Sequence, residues 1–235
     1  MSSSDPPAHV TLEARAIVFD MDGLLVDSEP LWAAVEGDFA RVRGAEFTAE
    51  HAASCVGRGL ANTLRFMNAT FGFAVDLERD ARDIVDRFLS RARELVLMPG
   101  ALALLDAAAA ERVPVALGSS SDRRLVKAVV AAVGVADRFA SVVAGDDVPR
   151  TKPAPDIFLE CALDLGVEPA GCVVLEDSVA GVLAGRAAAM KVIAVPERYP
   201  GDPALADSAD VVVRDLFAAR RAIRFAGGGP YTASK

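Results

Sequence analysis

The chain has 235 residues, 52% of them hydrophobic and 25% charged, with a formal net charge of −8. That composition suits one large globular domain, or a domain carrying a smaller one, and excludes a disordered chain. The acidic balance counts against a nucleic-acid partner, which favours a basic surface, and no run of ~18 apolar residues offers a membrane span.

The first fifteen residues lack an apolar stretch, so no signal peptide is expected. Ser2 to Pro7 and the closing GGGPYTASK read as polar tails. The cysteines are Cys55, Cys161 and Cys172, with no Cys-x-x-Cys pair. An odd, scattered set is expected to stay reduced, in a cytoplasmic protein, as small buried residues.

In chain order, Ala16 to Phe19 is the first short apolar run and reads as a buried strand. From Leu31 to about Leu97 no strand is expected. Instead Leu31 to Val42, Leu60 to Phe71 and Asp76 to Leu95 repeat apolar residues at three- and four-residue spacing, the mark of amphipathic helices. Pro30 and Pro99-Gly100 bracket that stretch. Beyond it, strands are expected at Val113 to Leu117, Ser141 to Ala144, Cys172 to Leu175, Val192 to Val195 and Val211 to Val213. Helices are expected at Ala101 to Ala110, Asp122 to Val133, Pro155 to Leu165 and Val179 to Met190. Runs apolar on both faces, alternating with helices, imply an α/β fold with a doubly wound parallel sheet. The expected organisation is a core of residues 1–30 and 98–235 with an all-helical domain, 31–97, inserted after the first strand.

Ligands of open α/β sheets bind at the carboxyl ends of strands, and polar residues gather there. The first strand runs into Asp20-Met21-Asp22-Gly23. On extended chain, Asp20 and Asp22 point the same way, and Gly23 lets the chain turn. Such a pair suits a metal, or a nucleophile beside a general acid/base; by itself it also suits caps and turns. The second strand runs into Ser119-Ser120-Ser121 and then a helix, which is an anion site or an ordinary N-cap. Lys152 follows the third strand, in Thr151-Lys152-Pro153-Ala154-Pro155, where proline restricts the backbone of a fixed cation. Glu176-Asp177-Ser178 ends the fourth. Acidic oxygen donors around an anion require a cation, and hard ligands without His or Cys point to Mg²⁺. His9 and His51 lie away from every strand end, which disfavours zinc and His-based triads.

Each signal is modest, but their order on four successive strands is specific. The set Asp20-Met21-Asp22-Gly23, Ser119, Lys152-Pro153-Ala154-Pro155 and Glu176-Asp177-Ser178 resembles the haloacid dehalogenase superfamily, over roughly residues 16 to 216. The resemblance implies a Rossmann-like core and a helical cap, a Mg²⁺ cofactor, and a small phosphorylated metabolite as substrate of a monomer. Asp20 would be the nucleophile that forms an aspartyl-phosphate, and Asp22 the general acid/base. Mg²⁺ would be held by the Asp20 carboxylate, the Asp22 backbone carbonyl and the Asp177 carboxylate, with Glu176 ligating directly or through water. Lys152, Ser119 and groups near Ser120 would hold the phosphate oxygens.

Asp22 argues for phosphoryl transfer over dehalogenation, since halide leaves without a proton. Within the sugar-phosphate branch, a beta-phosphoglucomutase would carry a His where this chain has Trp32, and an Arg where it has Leu60, with Arg58 displaced from that position. The run Asp27-Ser28-Glu29-Pro30-Leu31-Trp32 and the segment from Val195-Pro196 to Asp202-Pro203 look like hexitol-phosphate and 2-deoxyglucose-6-phosphate phosphatases. Trp32 could equally be a packing residue. The expected activity is therefore a phosphatase of small sugar or polyol phosphates. The alternatives are a phosphosugar mutase and, more remotely, a sugar-phosphate sensor without turnover.

Overall fold

A computed structural model describes residues 11–56, 59–196 and 203–227. Both tails, Arg58 and most of the segment up to Asp202 lie outside the described residues. The chain divides into two compact units, residues 1–26 with 97–235, and residues 27–96.

The strands are β1 (Leu12–Ala14), β2 (Ala16–Phe19), β3 (Val26–Asp27), β4 (Val96–Leu97), β5 (Val115–Gly118), β6 (Ser141–Val143), β7 (Cys172–Glu176), β8 (Lys191–Ala194), β9 (Val211–Val212) and β10 (Ile223–Phe225). The helices are α1 (Glu29–Arg41), α2 (Ala49–Cys55), α3 (Leu60–Phe71), α4 (Leu77–Ser90), α5 (Ala101–Ala110), α6 (Arg123–Ala132), α7 (Asp156–Leu165), α8 (Val179–Ala187), α9 (Pro203–Ser208) and α10 (Leu216–Arg221).

Six strands form the main sheet, in the order β6-β5-β2-β7-β8-β9. Each neighbouring pair is parallel. Counted along the chain within this sheet, the order is 3-2-1-4-5-6, that of a doubly wound dinucleotide-type fold. β2 lies between β5 and β7, with Phe19 opposite Leu117 on one side and Leu175 on the other. The reversal of strand order therefore falls between β2 and β7. Every residue of β2 and β7 is buried, as strands covered on both faces require. Ala16, Val18, Val174 and Val192 pack on one face with Ile157 and Phe158 of α7 and Val182 of α8. The alternate residues Ile17, Phe19, Val173 and Leu175 are also fully buried.

Residues 27–96 hold α1 to α4. The expectation of no strand up to Leu97 is corrected, because Val96–Leu97 pairs with Val26–Asp27 in a two-stranded sheet. Strands of two residues are too short to show a period. The sequence also left α2 unassigned. Its N-cap Thr48 accepts from the His51 N–H, while the Thr48 N–H donates to His51 Nδ1 at 3.1 Å. His51 thus closes a capping box and sits edge-on to Phe71, ring centroids 5.0 Å apart. Trp32 stacks on Phe88 of α4 at 4.0 Å, so it has a packing role within its own unit. Among the described residues no helix is long and apolar enough to cross a membrane.

Candidate active site

The chain leaves β2 with the Asp20 N–H still bonded to Leu175 O at 3.0 Å, which sets Asp20 at the β2–β7 junction. A tight turn follows. Leu25 and Val26 N–H groups both bond Met21 O, and the Gly23 N–H bonds Val26 O at 3.0 Å. Gly23 has φ +77 and lies so close to the Asp177 carboxylate that a Cβ would overlap it. Glycine is needed there for its backbone conformation and for the approach of that carboxylate.

Glu176 is the last residue of β7 and is fully buried. Its Oε1 accepts from Lys152 Nζ at 2.7 Å, and its Oε2 accepts from Ser178 Oγ at 2.9 Å and the Ser178 N–H at 3.2 Å. Ser178 is also the N-cap of α8, accepting from the Gly181 N–H at 3.0 Å. A side chain at Gly181 would overlap the Glu176 carboxylate, so this glycine opens the space the carboxylate occupies.

Lys152 reaches in from the loop after β6 with its side chain only 6% exposed. It donates to Asp20 Oδ1, to Gly118 O at 2.9 Å and to Glu176 Oε1 at 2.7 Å, which matches the three donors of an ammonium. The Phe158 ring lies below it, with Nζ 4.8 Å from the centroid. Burial opposes the charge, but Asp20 and Glu176 outweigh it and hold the ammonium above its ordinary range.

The electrostatics of the carboxylates run the other way. Burial first, then the nearby Glu176, pushes Asp20 from 3.8 up to about 7, against the lowering effect of Lys152. Burial, then Asp20 and Glu176, pushes Asp177 well above the usual carboxylate range. Asp20, Glu176 and Asp177 each offer an oxygen, and these oxygens lie within 4.8 Å of one another. Among the described residues one ammonium faces three acids, so full ionisation of the cluster would leave surplus negative charge in a place where water screens it poorly. An all-oxygen donor set of this size fits a hard divalent cation such as Mg²⁺, and a cation there would favour the ionised forms of Asp20 and Asp177.

The loop after β5 completes the edge. Ser119 is buried, and its Oγ accepts from the Ser121 N–H at 3.1 Å. Ser120 is exposed, and its carbonyl lies against Gly145 at the exit of β6. Asp22 is half-buried, and its Oδ2 accepts from Ser121 Oγ at 3.1 Å. The structure thus gathers Asp20, Asp22, Ser119, Ser120, Lys152, Glu176 and Asp177 at one edge of the sheet. Ser121 joins them by touching Asp22 directly. Sequence reasoning passed over it as the third of three serines, and only the contact between loops separates it from its neighbours. The three cysteines are buried, and Cys161 and Cys172 have thiols raised by burial, Cys172 to about 11.

A family model described as haloacid dehalogenase-like hydrolase matches residues 14–189. Hexitol phosphatase B of Escherichia coli (strain K12) is 32% identical over 198 residues, covering 77% of this chain and 83% of that protein. Fructose-1-phosphate phosphatase YqaB of the same strain is 33% identical over 191 residues, covering 76% of this chain and 95% of that protein. Among solved structures, beta-phosphoglucomutase (pgmB) from Clostridium difficile superposes with a TM-score of 0.72 over 89% of this chain and 97% of its own. At 22% identity that likeness bears on the fold alone.

Proposed function

The chain belongs to the haloacid dehalogenase-like hydrolases and is a phosphatase enzyme, and from that premise we propose that it hydrolyses small sugar or polyol phosphate monoesters through an aspartyl-phosphate on Asp20. The observation that carries the proposal is the convergence of Asp20, Asp22, Lys152, Glu176 and Asp177 at the switch point between β2 and β7. The names of the two phosphatase relatives support the substrate class.

In this reading the Asp20 carboxylate attacks phosphorus in line with the leaving alcohol, and Asp22 protonates that alcohol. Asp22 then removes a proton from the water that hydrolyses the acyl phosphate. Lys152 sets a fixed positive charge beside the phosphoryl group, and Ser119 and groups near Ser120 hold its oxygens. Mg²⁺, held by Asp20, the Asp22 carbonyl and Asp177, would neutralise charge on the phosphate when bound. Glu176 has both oxygens engaged by Lys152 and Ser178, which favours contact through water for this residue.

The phosphatase reading is preferred over the mutase because Trp32 stacks on Phe88 and supplies no imidazole. A single experiment tests the choice: ³¹P NMR of sorbitol 6-phosphate, and separately of beta-glucose 1-phosphate with a trace of glucose 1,6-bisphosphate, with Mg²⁺ or with EDTA. Inorganic phosphate as the main product, in Mg²⁺ alone, is expected. Accumulation of glucose 6-phosphate with little free phosphate would overturn the choice, and full activity in EDTA would remove the metal.

A further inference from the structure

We propose that Ser121 is a positioning residue that sets the orientation of Asp22 and ties it to the phosphate-facing loop. The inference rests on the reading of Asp22 as general acid/base and deepens it. Ser121 Oγ donates to Asp22 Oδ2 at 3.1 Å across a gap of 99 residues in sequence. The backbone of the same residue is held at both of its polar groups. Its N–H donates to Ser119 Oγ at 3.1 Å, and its carbonyl accepts from the Gly145 N–H at 2.8 Å.

The support behind that backbone is extensive. Gly145 has no side chain where a Cβ would overlap the Ser120 carbonyl, so the β6 exit packs flush against the loop. Arg123, at the first turn of α6, fastens the two loops together from the other end. Its N–H donates to Asp146 Oδ1 at 2.8 Å, and its guanidinium binds Asp147, Nε to Oδ1 at 2.7 Å, and reaches Val142 O at 3.2 Å. Asp147 in turn accepts from the Ala144 N–H at 2.7 Å. The backbone that carries this hydroxyl is fixed at many points, and its rotamer aims the hydroxyl at Asp22. A carboxyl group that must meet a leaving oxygen and then a water benefits from such support, since small misplacements of a catalytic group cost about a hundredfold in rate.

The consequence is specific. Ser121 acts through Asp22, so its loss should matter only where a proton must be moved. The test compares wild type, Ser121→Ala, Ser121→Thr and Asp22→Ala in rapid-quench single turnovers with sorbitol 6-phosphate and with p-nitrophenyl phosphate, alongside the inhibition constant for inorganic phosphate. Ser121→Ala should slow leaving-group release from the alkyl phosphate by about ten- to a hundredfold. It should slow release from the aryl phosphate only a few-fold and leave phosphate inhibition within about twofold. Ser121→Thr, which keeps the hydroxyl, should restore most of the alkyl rate. Should the alanine chain not fold, Ser121→Cys keeps the volume with a weak donor and must give the same leaving-group signature. Equal losses on both substrates, or a raised inhibition constant for phosphate, would overturn the inference and make Ser121 a phosphate contact. Wild-type turnover with a leaving-group-dependent Asp22→Ala leaves the underlying reading standing in that event. A uniform Asp22→Ala loss brings down that reading first, and the role of Ser121 with it.

Discussion

Asp80 in the helical unit and Asp20 at the sheet edge are both buried carboxylates, yet they are provided for in opposite ways. Asp80 is 1% exposed, and its Oδ1 accepts from Arg43 at 3.0 Å and from Arg79 at 3.1 Å, while its Oδ2 accepts from the Asp76 N–H at 3.0 Å. Arg43 is itself stacked on Phe39, 3.5 Å from the ring centroid. Two cations and a backbone donor serve one acid. At the sheet edge the ratio is reversed, because among the described residues Lys152 alone faces Asp20 and Glu176, with Asp177 beside them. A buried charge whose partners are complete within the chain is structural. A buried cluster left short of positive charge suits a cation that arrives, which is what the proposed function asks of it.

The comparison is sharpest at Asp20. Asp20→Asn is nearly isosteric and removes the nucleophile along with its charge beside Lys152, so phosphate release should fall to background while thermal melting shows an intact fold. Near-normal release by this variant would break the covalent mechanism. Asp22→Ala should lower steady-state hydrolysis of sorbitol 6-phosphate by about 10² to 10⁴, the scale of a lost general acid/base. Asp80→Ala should do the reverse: little change in kcat, but a loss of about 3 kcal/mol or more in urea unfolding, because Arg43 is left without its buried partner. Loss of activity at unchanged stability for Asp80→Ala would mean that the contrast between the two regions has been misdrawn.

The sheet was legible because its strands are apolar on both faces and bounded by polar ends. Ala16–Phe19 and Ala101–Ala110 have the limits expected, whereas the N-cap of α6 is Asp122, accepting from the Leu125 N–H, and not one of the serines before it. Cys172–Glu176 runs one residue further than its apolar pattern, because Glu176 turns its charge to Lys152 instead of to water. Other features leave no local trace. β1 pairs with β10 across some 210 residues, Leu12 opposite Ile223, and neither strand has a partner nearby in sequence to announce it. The cap of α2 uses His51 where the usual signature has Glu or Gln. Ser121 is distinguished from Ser120 by what faces it from the β2 turn, and no spacing rule carries that.

Glu36 tests the comparison inside the helical unit, where a second buried acid lacks what Asp80 has. It lies on α1, is 6% exposed, and is pushed from 4.5 up to about 7 by burial first and by Glu29 second. A carboxylate raised in the folded state binds a proton that the unfolded chain has already released. Stability from this group is therefore complete below about pH 4.5 and is lost as pH rises through about 7. Glu36→Gln removes that dependence by holding the site neutral. The variant and wild type should have similar urea midpoints near pH 5, and the variant should gain about 2 kcal/mol relative to wild type by pH 8, somewhat below the full value of the shift. A difference that stays constant from pH 5 to pH 8 would show that Glu36 is served by its surroundings as fully as Asp80. The contrast would then belong to the sheet edge alone.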